Sequence, residues 1–258
     1  MKKIIGRIAI GILVLGLLTS MIIMAKEIMQ KTQFNKEPEL SSIVQVSVEE
    51  PSTVEDNRPK APVRTDIDWT GLKKQNGDVY AWISIPGTNV EYPVLQHPTE
   101  NDYYLLHNLD KSSGYPGCIY SQTMTSKDFT DPNTILYGHC MKDGTMFKQL
   151  RNFEDLGFLN SHGYVYIYTE DAAYTYEIFN ACVFNDRHLL YQYNFSDKGG
   201  FNNFLADLQA VRGMTSHYKP EVEVNENDRL LTLSTCVTAD GPQRWLVVGV
   251  LRNKEKLR

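Results

Sequence analysis

The sequence predicts a mostly-β domain, a closed β-barrel in preference to a parallel α/β sheet. Two observations carry this. From Asp66 onward about eight short runs are rich in β-branched and aromatic residues, each bounded by turn residues. Few helical stretches interleave with them, which disfavours strand–helix–strand units.

The runs can be taken in order. "VYAWISI" and "VEYPVL" flank the turn "PGTN", and "GCIYS" and "NTILYGH" follow. "YVYIYT" and "AYTYEIFNACVF" flank "EDA", and "RLLTLSTC" and "RWLVVGVL" close the chain. Even spacing of short strands suits a barrel or a sandwich. Two segments break the pattern. "TMFKQLRNF" puts Met146, Phe147, Leu150 and Phe153 on one helical face. "GGFNNFLADLQAVRG" spaces Phe201, Phe204, Leu205, Leu208 and Val211 at helical period, with Gly213 as a stop. "DWTGLKKQN", residues 68–76, reads as a third helix beside the barrel.

The N-terminus is of another kind. Lys2, Lys3 and Arg7 precede an uncharged run from Ile8 to Met24. As a helix those residues span about 26 Å, and about 31 Å from Ile4 if Arg7 snorkels. The run exceeds a typical signal-peptide core, so residues 1–26 are expected to be a cytoplasmic tip and an uncleaved transmembrane anchor. A cleaved signal after "IMA" is the alternative. Basic residues ahead of the span keep the N-terminus cytoplasmic and the remainder outside, a single-pass protein of the cell membrane. Residues 27–65 contain Pro51, Pro59 and Pro62, mixed charges and no apolar period, the composition of an extracellular linker.

Composition narrows the chemistry. Acidic residues number 31 against 26 basic, a net charge of −5, so a nucleic-acid partner is not expected. The six histidines lack zinc-ligand spacing, and no phosphate-cradling glycine loop or G-x-S-x-G elbow is present. The cysteines are Cys118, Cys140, Cys182 and Cys236. An even number permits disulfides, but Cys118 and Cys182 sit in apolar strand runs and read as small buried hydrophobes.

Cys236 differs. It ends a strand, and Ser234 and Thr235 precede it where a core strand would carry apolar residues. Arg244 opens the next run, so a turn "TADGPQ" would return its strand beside the thiol. A guanidinium there stabilises a thiolate, and it equally holds the oxyanion of a tetrahedral intermediate. Among the histidines His139 stands at the end of an apolar strand next to Gly138, placed to project into a cleft.

"TLSTC" with an arginine opening the next strand and "NTILYGH" about a hundred residues upstream resembles a sortase, specifically class B. The similarity extends over residues 66–258, through "NGDVYAWISIPGTNVEYPVLQ", "ENDYYLLHN", "GTMFKQLRNF" and "FNNFLADLQAV". It implies an eight-stranded sortase barrel as catalytic domain, 66–258, and transpeptidation. Cys236 would be the nucleophile toward the carbonyl after Thr in a C-terminal sorting motif of a secreted protein. His139 would be the general acid and base, and Arg244 would hold the carbonyl and oxyanion. A peptidoglycan amine, free or on lipid II, would resolve the thioacyl enzyme. Ser234, Tyr137, Asn101 and Leu105 match residues lining the class B peptide groove. No metal or cofactor is implied. The motif stays open between Asn-Pro-x-Thr-x and a Pro-Pro-x-Thr-Gly-like variant, because the "VTADGPQ" turn departs from some class B members. Cys140 follows His139 where class B members often carry a polar residue; strand alternation would turn it inward. Release of the acyl group to water by an endopeptidase, and a binding domain without turnover, are the alternatives.

Overall fold

A computed structural model of the chain describes residues 58–238 and 241–257. In chain order it contains α1 (Trp69–Gln75), β1 (Val79–Ser84), β2 (Glu91–Leu95), the 3-10 helix η1 (Tyr103–Leu105), β3 (Ile119–Tyr120) and β4 (Asn133–Tyr137). The 3-10 helix η2 (Phe147–Glu154), α2 (Leu156–Ser161), β5 (Tyr164–Tyr168) and β6 (Ala172–Asn185) follow. α3 (Leu189–Gln192), α4 (Lys198–Ala210), β7 (His217–Tyr218), β8 (Leu230–Cys236) and β9 (Gln243–Lys256) complete it.

The strands join in the order β5-β1-β2-β3-β4-β8-β9-β6, and a β5–β6 pairing closes the ring. This is the closed eight-stranded barrel expected. The two-residue β7 lies outside it, on the outer edge of β6. Pairing is antiparallel except at β2–β3 and β4–β8. A parallel pair needs a long crossover, and the β4–β8 crossover carries β5, β6 and most of the helices.

Alternation explains the core. Leu231 and Leu233 of β8 and Trp245 and Val247 of β9 point into the barrel with Ile83, Leu136 and Ile167. The intervening Leu230, Leu246 and Val248 point outward and are covered by Phe201, Phe204, Leu205 and Leu208 of α4. The helix begins where Asp197 accepts a hydrogen bond from Gly199 N at 2.9 Å. It ends at Ala210, ahead of the expected stop at Gly213, because Val211 turns extended and Arg212 bonds the carbonyls of Gln209 and Val211.

The segment 147–154 is also helical, but as 3-10. Phe147, Leu150 and Phe153, all buried, recur every third residue, and three residues per turn stacks them on one face. The third helix expected over 68–76 is α1, where the Asp68 carboxylate accepts from Gly71 N at 2.9 Å.

Residues 58–65, assigned to the linker by composition, pack on the barrel. Ala61 is buried against Tyr168 and Ala173 and donates its N–H to Glu255 Oε2 at 3.2 Å. Tyr168 Oη donates to Pro62 O at 2.9 Å, and Arg64 bridges Asp66 and Glu91 at 2.6 and 2.9 Å. The folded unit therefore begins ahead of Asp66. The predicted anchor and residues 27–57 of the linker lie outside the described residues. Among the described residues no helix is long and apolar enough to cross a membrane.

Candidate active site

The β8–β9 hairpin builds half of the site. Its register sets Cys236 directly opposite Arg244, with Ser234 opposite Leu246. Because Leu231 and Leu233 face inward, the even-numbered Ser234 and Cys236 face outward, and so does Arg244. The other half comes from β4. It runs parallel to β8 with Tyr137 opposite Ser234, and the pairing continues one residue further. Gly138 N donates to Ser234 O at 3.3 Å, and Thr235 Oγ1 donates to Gly138 O at 2.7 Å. His139 is thereby level with Cys236. Leu136 points inward, so Tyr137 and His139 share the outer face with the thiol.

Gly138 is required for packing rather than for projection. A Cβ there would lie 2.4 Å from Ile119 Cδ1 and 2.9 Å from the Phe147 ring. Thr235 is likewise explained: its hydroxyl is the buried tie between β8 and the end of β4.

His139 is held from three sides. Its carbonyl accepts from Phe147 N at 2.9 Å, and the Tyr115 ring lies 4.9 Å from the imidazole. Its Nε2 is 2.8 Å from the Leu105 carbonyl. A carbonyl only accepts, so Nε2 carries a proton and Nδ1 is the nitrogen left for exchange. Gly117 makes this approach possible. It has φ +67°, and a Cβ there would sit 2.6 Å from Leu105 O.

Cys236, His139, Arg244, Ser234, Tyr137 and Leu105 all line one cleft of about 880 Å³. Asn101 does not line it. Its carboxamide oxygen is occupied beside the cleft by Thr123 N at 3.0 Å and Thr123 Oγ1 at 2.6 Å. The Arg244 guanidinium donates to the carbonyls of Gly241 and Gln243 at 3.2 and 3.3 Å. It has no carboxylate partner within 4 Å among the described residues. Burial, then the nearby Asp102, pushes the Tyr137 phenol upward, so it stays an O–H in the floor of the cleft.

Sequence reasoning did not find Asp102, Tyr115, Tyr120, Gln122 or His188, which also line the cleft. Tyr120 comes from β3 and the others from four separate connections, and no local pattern marks them. Cys140 needs a correction. It does not pack inward but is half-buried and lines the cleft. β4 ends at Tyr137, and Cys140 instead forms an isolated bridge with Met146, so strand alternation no longer governs it.

All four thiols are free. Burial pushes Cys118 and Cys182 up to about 12. At pH 8 roughly one in ten thousand of such thiols is ionised. Iodoacetamide at that pH is therefore expected to alkylate Cys140 and Cys236 and to spare Cys118 and Cys182 until the protein is denatured, as peptide mapping would read.

The sortase-domain family model matches residues 83–252. The chain belongs to the sortase family. It is 35% identical over 185 residues to sortase B of Listeria monocytogenes, covering 71% of this chain and 73% of that one. Among solved structures, sortase B of Clostridium perfringens superposes with a TM-score of 0.64 at 32% identity, over 71% of this chain and 99% of that one. A Staphylococcus aureus sortase B–substrate complex superposes with a TM-score of 0.61 at 27% identity, over 73% and 85% of the two chains. This sortase is thus similar to class B members, and the sortase-domain match at 83–252 takes in the strands that carry His139, Cys236 and Arg244.

Proposed function

We propose that this sortase is a membrane-anchored cysteine transpeptidase that cleaves a C-terminal sorting motif after Thr and transfers the acyl group to a peptidoglycan amine. The observation that carries the reading is the alignment of Cys236, Arg244 and His139 on one barrel face within a cleft of about 880 Å³. The sortase B–substrate complex among its relatives supports the substrate as occupant of that cleft.

The chemistry follows in two steps. The Cys236 thiolate adds to the carbonyl carbon of Thr, and the oxyanion formed is held by the Arg244 guanidinium. The C–N bond then breaks. His139 Nδ1 gives its proton to the departing amine, leaving a thioester on Cys236. In the second step an amine adds to the thioester carbonyl and passes a proton back to Nδ1. The C–S bond breaks and an amide forms. Each step restores what the other consumed, so no further reagent is needed.

An anchor in residues 1–26 would hold this chemistry at the outer membrane face, where secreted clients and lipid-linked peptidoglycan precursors meet. The rival reading, hydrolysis, differs only in whether water or the amine reaches the thioester first. Product analysis separates them. With a sorting-motif peptide and a millimolar amine, the full chain is expected to yield chiefly the amide. Free acid as the sole product would make it an endopeptidase, and no product at all would make it a binding domain.

A further inference from the structure

Three strands set a row of reacting groups, and a fourth element extends it. β9 carries Arg244, β8 carries Cys236, and β4 runs on to His139, all level with one another. β3 lies on the far side of β4 from β8. It pairs antiparallel with β4, Tyr120 opposite Tyr137, so the chain entering β3 passes the end of β4 where His139 stands. Tyr115 is on that incoming chain, its ring 4.9 Å from the imidazole at an interplanar angle of 56°. The order across the surface is therefore Arg244, Cys236, His139, Tyr115.

The ring is fixed from behind and open in front. Gly114 N donates to Leu106 O at 2.8 Å, and Cys118 N to Tyr104 O at 2.9 Å. Gly117 N donates to Asn108 Oδ1 at 3.1 Å. These bonds hang residues 114–118 on η1 and the turn after it, and η1 also supplies the Leu105 carbonyl that orients His139. Tyr115 is nevertheless 66% exposed, whereas Tyr120, which lines the same cleft, is 3% exposed. A tyrosine that packs on the His139 imidazole and leaves its other side to solvent presents a free π-face beside the reacting centre.

On the proposed reading, the row gives that face to one half of the reaction. Arg244 holds the oxyanion on one side of the thiol, so the departing nitrogen lies on the other, toward His139. His139 protonates that nitrogen, and by microscopic reversibility the incoming amine gives its proton to the same Nδ1. The acceptor then approaches past Tyr115. Aliphatic amines, like the lysine side chain, are ammonium ions at neutral pH. The face of a tyrosine ring attracts such cations. Lys142 and Asp143 line the cleft just after His139 in the chain. Their opposite charges offset one another and leave the ring as the attractive feature.

We infer that Tyr115 is a specificity-determining residue for the second half of the reaction, a cation–π platform that gathers an aliphatic primary ammonium as acceptor in preference to an uncharged nucleophile. The inference rests on the proposed reading of the cleft as a transpeptidase site. On the platform the ammonium gives one proton to water, and the free amine adds to the thioester carbonyl. A second proton passes to His139 Nδ1, the C–S bond breaks and the amide forms, so atoms and charge balance. Water gains nothing from the ring, and Tyr115 thereby tilts the outcome from hydrolysis toward transfer.

The test uses the full chain with a sorting-motif peptide and two nucleophiles in competition at neutral pH. One is Nα-acetyllysine amide, an ammonium ion there, and the other is hydroxylamine, which is uncharged. Both draw on the same thioester, so an effect of the ring on His139 or on acylation drops out of the product ratio. Tyr115→Ala is expected to lower the ratio of lysine adduct to hydroxamate about three- to fivefold. Tyr115→Leu keeps bulk against the imidazole without a π-face and should lower it alike. Tyr115→Phe should hold it within about twofold. The side chain is exposed, so all three variants should keep Tm within about 2 °C. A ratio unchanged in Tyr115→Ala and Tyr115→Leu, or one that falls as far in Tyr115→Phe, would overturn the inference. Failure of the wider reading looks different. A parent protein that forms neither product is no transferase, and the inference goes with it. Both products in a ratio indifferent to the substitutions remove the inference alone.

Discussion

Arg244→Ala is expected to lower kcat/KM for acyl transfer by about a hundred- to a thousandfold while shifting Tm by no more than about 2 °C. The two halves of this expectation have separate causes. The guanidinium sits directly across the hairpin from Cys236, where the carbonyl under attack becomes an oxyanion. Removing such a donor withdraws stabilisation that exists chiefly in the transition state, so kcat falls more than KM rises. Among the described residues its hydrogen bonds go to two neighbouring carbonyls, Gly241 and Gln243, in a partly exposed turn that water can satisfy. Little stability is therefore lost. Arg244→Lys keeps the charge but not the planar fork and should recover only part of the rate. Loss of rate with an equal fall in Tm would mean the arginine acts by holding the hairpin.

The neighbouring residue should behave in the opposite way. Trp245→Ala is expected to destabilise the domain by about 3–5 kcal/mol, a fall in Tm on the order of 10 °C. Trp245 faces into the barrel, is 0% exposed and donates Nε1–H to Leu150 O at 2.8 Å. Arg151 lies over its ring at 5.2 Å. Truncation opens a large cavity and strands a buried carbonyl, two costs that add. Because η2, which carries Leu150, begins with Phe147, the residue that holds the His139 carbonyl, activity should fall with stability. Thermal melts and denaturant titration of the two variants side by side test the division between the outer, reactive face and the inner, packed one. A stable Trp245→Ala protein would refute it.

Why the eight barrel strands could be read from the sequence is visible in β8 and β9. Leu231 and Leu233 of "RLLTLSTC" and Trp245 and Val247 of "RWLVV" belong to the inner core, and the eight-residue separation of Cys236 and Arg244 leaves a hairpin as the short way to join the runs. His139 was within reach for the same reason, since parity along "NTILYGH" carries its face from Leu136. The parallel pairings β2–β3 and β4–β8 had no local sign, because their crossovers are long. β7 was missed since two residues have no period. The hydrogen-bonded Asp102–Gln122–His188 chain joins loops 20 and 66 residues apart, through contacts that only the closed barrel creates. Cys140 misled in the other direction: alternation was extended past the end of β4, where the backbone had already left the sheet.

Acyl transfer through Cys236 is tested most directly by the intact mass of the full chain mixed with a sorting-motif peptide in the absence of an amine. A mass increase equal to the acyl fragment ending at Thr is expected, mapped to Cys236, absent from Cys236→Ala and discharged by an added amine. Cleavage of the peptide by Cys236→Ala at the unmodified rate, or an adduct carried on Cys140 instead, would contradict it.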